Sequence, residues 1–136
     1  MTGSRVLALA IAALATAPLA IAPAACRGSA EAVTPAGPPE RAVEEMFSVM
    51  NGGDCQRLFA VVGGKLEERY RSIPCEQLMA DMAHQRPALD TIIKVEVDGR
   101  FPSRRLVYTR WTAEGSTRTT IAKVEQERGA WVVVEF

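Results

Sequence analysis

Three cysteines, a single histidine and a few aspartates are the side chains whose types could do chemistry in this chain. Cys55 and Cys75 each begin a helical stretch and fall on its apolar stripe, so a bridge would clamp two helix starts together. Two buried free thiols are the alternative. With Cys26 the cysteines number three, and an odd thiol is awkward in an oxidising compartment unless it is otherwise engaged. No C-x-x-C pair is present, so the expected role of the bridge is structural rather than redox. His84 falls on the polar face of its helix beside Gln85 and reads as solvated. It has no cysteine or carboxylate partners at ligand spacing, so neither zinc nor any other metal is expected, and no cofactor motif is present. Asp54 follows a glycine pair where a new helix needs a cap. A proton-transfer site would have to draw on Asp54, His84, Asp90 or Asp98. None of them belongs to a recognisable catalytic pattern, so no catalytic residue is assigned.

Cys26 takes its meaning from what precedes it. Arg5 is the only charge before an Ala/Leu/Ile-rich run from Val6 to Ala22, which is broken by Pro18 and followed by Pro23-Ala24-Ala25-Cys26. Residues 1–25 therefore read as a secretory signal peptide, with a retained transmembrane helix as the lesser alternative. The small residues before Cys26 resemble a bacterial lipobox, in which the cysteine becomes the lipidated N-terminus. Pro23 departs from that pattern, which usually has leucine there, so simple cleavage and secretion stays open. Lipid on Cys26 would leave Cys55 and Cys75 to pair. Residues 26–38, rich in small residues and proline, read as a disordered tether. The expected location is extracytoplasmic, anchored to the cell membrane by lipid. Basic and acidic residues balance at sixteen each, so nothing points to nucleic acid.

The elements that would position these residues follow from periodicity. In Glu40 to Asn51, Ala42, Val43, Met46, Phe47, Val49 and Met50 recur on one wide stripe, which predicts an amphipathic helix stopped by Gly52-Gly53. Leu58, Phe59 and Val62 predict a second helix after Asp54. Lys65 to Arg71 reads as a further helical turn or an ordered loop, and a third helix follows Pro74 with Cys75, Leu78, Met79, Met82 and Ala83 as its stripe. From Thr91 the period becomes two, and four strands joined by short turns predict an antiparallel meander. Charge placement puts Ile93, Val95, Val97, Val107, Thr109, Trp111, Thr120, Ala122, Val124, Val132, Val134 and Phe136 toward the helices. Arg100, Arg104, Arg105, Arg110 and Arg118 make the sheet side locally basic, which is either an edge charged against aggregation or a contact for anionic lipid headgroups or an acidic partner.

A leading helix reading A-V-x-x-M-F-x-x-M-N-G-G-D-C and a final strand reading E-R-G-A-W-V-V-V-E-F resemble the nuclear transport factor two-like (cystatin-like) superfamily. The likeness is nearest to its small bacterial lipoproteins of unknown function. Asn51, Gly52, Gly53 and Asp54, then Gly129, Trp131 and Val133, hold the matching places, with one extra glycine in the turn. The resemblance implies an α+β fold over residues 39–136, with N-terminal helices packed on a curved four-stranded antiparallel sheet that forms a cone with a cavity. Phe47, Val95, Val107, Thr109, Trp111, Thr120 and Val134 are the expected cavity lining. The superfamily holds isomerases, cyclases and dehydratases beside non-catalytic binding domains, so fold alone does not choose between them. The expected function is a non-catalytic envelope domain that binds a protein partner or a small apolar ligand. The alternative is a small isomerase- or cyclase-like enzyme.

Overall fold

The structure, a computed structural model, describes residues 37–136. The expected signal peptide, Cys26 and the expected tether as far as residue 36 lie outside the described residues. Helix α1 spans Glu40–Gly52 and buries all six expected apolar residues, from Ala42 to Met50. It stops at Gly53, whose φ of 71° is the left-handed turn that glycine adopts without a steric cost. Asp54 then caps α2 (Cys55–Val61) as its sequence position predicts, its carboxylate accepting from the backbone N–H groups of Gln56 and Arg57. Val62, expected within this helix, instead leaves it in an extended conformation.

Lys65 to Arg71 belongs to a helix of its own, α3 (Gly64–Arg71), so the helices number four among the described residues rather than three. Only Leu66 and Tyr70, one turn apart, face the core from α3. The rest is held by local electrostatics: Glu67 pairs with Arg71 at 2.7 Å, and two arginines in the last turn suit the negative end of the helix dipole. This is why periodicity in so polar a segment gave little warning of a helix. In α4 (Cys75–Gln85) the buried residues are Leu78 and Met82. Cys75 and Ala83, expected on the apolar stripe, are exposed. The disulfide between Cys55 and Cys75 therefore joins a buried start of α2 to an exposed start of α4.

Four strands, β1 (Ala88–Val97), β2 (Arg105–Ala113), β3 (Ser116–Glu127) and β4 (Ala130–Glu135), form one antiparallel sheet in chain order, the expected meander. Glu114-Gly115 and Arg128-Gly129 both take positive φ at two successive residues, as tight hairpins require. Val107 pairs with Ala122 and Val124 with Val133, and these buried residues meet α1 and α2 in one core. The fold class is α+β.

Two strands correct the expected facing. Ile93 is 48% exposed, because register shifts between Leu89 and Thr91 and between Ile92 and Lys94 reset the alternation, and Val97 is 57% exposed at the last position of β1. Leu89 and Ile92 pack on the core instead, together with Val95, which faces it as expected. In β4 the core residue is Val133 rather than Val132 or Val134. Those two are buried by a separate cover, the Gly63-Gly64 pair, against which a Cβ on Gly63 would lie 2.7 Å from Val132 and one on Gly64 3.3 Å from Val134. Gly63 also donates its N–H to the Val133 carbonyl at 2.9 Å, so the start of α3 closes the β4 edge of the sheet.

Candidate functional site

A cavity of about 510 Å³ opens between α1, α3, α4 and the sheet. Its floor is aromatic. Phe47 of α1 meets Trp111 of β2 at 5.8 Å between ring centroids, and Phe136 meets each of them at 5.4 Å in tilted and edge-on arrangements that favour ring pairs. Thr120 of β3, itself part of the lining, holds this floor in place. Its hydroxyl accepts from the Trp111 indole N–H at 2.9 Å, and its carbonyl accepts from the hydroxyl of fully buried Thr109 at 2.9 Å. The Trp111 N–H and the Thr109 hydroxyl thereby both find acceptors.

The walls come from helices whose pattern in the sequence is weaker. Leu78, Asp81, Met82 and Gln85 line it from α4, whose start the disulfide holds. Arg69 and Tyr70 line it from α3, with Ile73 from the following turn. Arg118 of β3 completes the rim, its guanidinium 5.4 Å from the Trp111 ring centroid. Burial pushes the Tyr70 phenol above its ordinary value, and the neighbouring Arg69 charge draws it back in part, so the hydroxyl is protonated at neutral pH. Among the described residues, Arg69, Asp81 and Arg118 take part in no ion pair within 4.0 Å.

Of the expected lining, Phe47, Trp111 and Thr120 border the cavity. Val95 is half-buried against the core, and Val107 and Thr109 are wholly enclosed behind the floor. Val134 lies elsewhere, beside Gly64 and Lys65. None of the four residues from which a proton-transfer site was expected to draw lines the cavity. Asp54 is a cap, and Asp90 accepts from the Thr112 hydroxyl at 2.8 Å. Asp98 accepts from the Arg100 N–H at 2.9 Å and faces Arg104 at 3.6 Å. His84 is exposed in a separate shallow pocket, 3.8 Å from Glu114.

The charged residues that do line it, Arg69, Asp81 and Arg118, were missed as a group. A signal existed for two of them. Asp81 lies three residues after Leu78 and four before Gln85, hence on their helix face, and Arg118 lies two before inward-facing Thr120. The expected basic sheet side is partly neutralised, since Arg104 pairs with Glu125 at 2.6 Å and with Asp98. Arg105 donates to the Pro102 carbonyl at 2.7 Å and lies over the Trp131 ring. Among the described residues no cluster of His, Cys, Asp and Glu could hold a metal ion, and no helix is long and apolar enough to cross a membrane. Compared with family models, curated proteins and solved structures, the chain matches none of them.

Proposed function

We propose that this chain is an exported envelope protein, anchored to the cell membrane by lipid on Cys26, whose domain over residues 39–136 binds a small, largely apolar ligand without transforming it. The observation that carries the reading is the floor of Phe47, Trp111 and Phe136 inside a cavity of about 510 Å³, a size typical of small-molecule sites. Aromatic rings supply large contact areas, and here their one polar handle, the indole N–H, is already satisfied. The Cys55–Cys75 disulfide is in keeping with an extracytoplasmic location. The apolar run before Cys26 supports export, and residues 26–38 would then serve as the tether. The α+β arrangement of helices on an antiparallel sheet agrees with the nuclear transport factor two-like resemblance at the level of fold class; the cone is part of this proposal.

Mass spectrometry of the native protein from a membrane fraction tests both halves of the reading. The expected result is a mature chain beginning at lipidated Cys26, carrying a small-molecule adduct that organic extraction removes and that Phe136→Ala weakens. An unmodified N-terminus before or at Cys26 would defeat the anchor. A chain that carries no adduct and takes up no amphiphile added in solution would defeat the cavity. A second reading, an isomerase- or cyclase-like enzyme, is favoured by one observation: Asp81 and Tyr70 both border the cavity. It requires turnover that Asp81→Asn abolishes while binding persists.

A further inference from the structure

The cavity is rich in donors and poor in acceptors. Arg69 and Arg118 come from different elements, the last turn of α3 and the start of β3, yet both reach the same rim. Three arginines of the domain pair with carboxylates, Arg71 with Glu67, Arg104 with Glu125 and Asp98, and Arg128 with Glu67, and none of these three lines the cavity. Arg69 and Arg118 have no such partner among the described residues. Thr120 accepts the Trp111 N–H and keeps its own O–H to donate, and the Tyr70 hydroxyl is a further donor. Among the side chains of the lining a single carboxylate, Asp81, stands against these, so the side chains carry an excess of one positive charge.

A guanidinium presents a flat fork of N–H groups that matches a carboxylate, phosphate or sulfate, and such charge-assisted hydrogen bonds are about twice as strong as neutral ones. Resting on the cavity-binding reading above, we infer that the site selects a monoanionic amphiphile, its apolar body on the Phe47–Trp111–Phe136 floor and its head group taken by Arg69 and Arg118. Asp81 opposes a second negative charge and so disfavours dianions. Both arginines are exposed, so the discrimination is moderate and falls with added salt.

The test compares decanoate, decyl sulfate, decanol and decyltrimethylammonium by calorimetric titration and tryptophan fluorescence, below their micellar concentrations and at neutral pH. Decanoate is expected to bind about tenfold tighter than decanol, a gap of about 1.4 kcal/mol, with the ammonium weakest. In the Arg69→Gln/Arg118→Gln double variant, which changes exposed side chains, the decanoate and decanol affinities should become equal while a thermal melt stays in place. Decyl sulfate distinguishes the sources of the anion. Equal affinity means that any monoanionic head satisfies the pair, and weaker affinity means that a planar carboxylate is preferred; both support the inference. Decanol binding as tightly as decanoate, the ammonium binding tightest, or a gap that survives in the double variant would overturn it and leave the cavity reading standing. Failure of all four amphiphiles to bind would overturn both.

Discussion

Removing the disulfide tests what holds the cavity wall. The Cys55→Ala/Cys75→Ala variant gives up little packing in the folded state, since Cys75 is exposed and Cys55 is one small buried residue. The main effect lies in the unfolded chain. With a sequence separation of 20 between the cysteines, loop-closure entropy in the chain-entropy model gives about 3.3 kcal/mol. That is a large share of the roughly 5–15 kcal/mol by which domains are stable. The loss should also be uneven. Helix α4 orders 11 residues and fully buries only Leu78 and Met82. Two such side chains bring about 1.5–3 kcal/mol each, less than the backbone entropy of the helix at about 1–2 kcal/mol per residue. Without the bridge, α4 should therefore open ahead of the rest. Urea unfolding is expected to show a loss of about 2–4 kcal/mol, and hydrogen exchange should speed up first in Cys75 to Arg86 while α1 and β2 keep their protection. A loss under about 1 kcal/mol, or faster exchange spread evenly over the domain, would refute the reasoning.

Two further outcomes follow from packing and burial. Gly63→Ala should destabilise by about 1–3 kcal/mol in the same urea assay, because the new Cβ would meet buried Val132 at 2.7 Å and the Glu127 carboxylate, whereas Gly99→Ala, with nothing within 4 Å, should be close to neutral. Tyr70 should ionise above the ordinary phenol range in phenolate absorbance, since its pKa is raised chiefly by burial. The native state then favours the protonated phenol, so its contribution to stability is complete below about pH 10 and is lost as pH rises through the higher folded value. Tyr70→Phe should remove that high-pH step, and a parent protein in which this substitution changes nothing at high pH would contradict the burial.

How legible each part was depended on how local its cause is. The buried stripe of α1, the Asp54 cap, the left-handed Gly53 stop and the meander all arise from neighbours a few residues apart, and periodicity displays them directly. The Cys55–Cys75 pairing was reachable by counting, given an oxidising compartment. The β1 facing was not, because one register shift in a strand exchanges its faces and nothing in the alternation of Ile93, Val95 and Val97 announces it. Nor was α3 plain, since its eight residues bury so little that composition and pattern disagree.

The candidate site divides along the same line. Phe47, Trp111 and Thr120 were nameable because inward positions on a helix and a sheet follow from period alone. Their closure into one floor with Phe136, and the arrival of Arg69, Asp81 and Arg118 at one rim, depend on how α3 and α4 settle against the sheet across long separations in the chain. By itself, then, the sequence determined the elements, the core stripe, the capping and the cysteine pair, all of which local sterics and short-range hydrogen bonding decide. Only the tertiary structure decided which polar side chains share the cavity, because that charge arrangement is set by packing between distant elements.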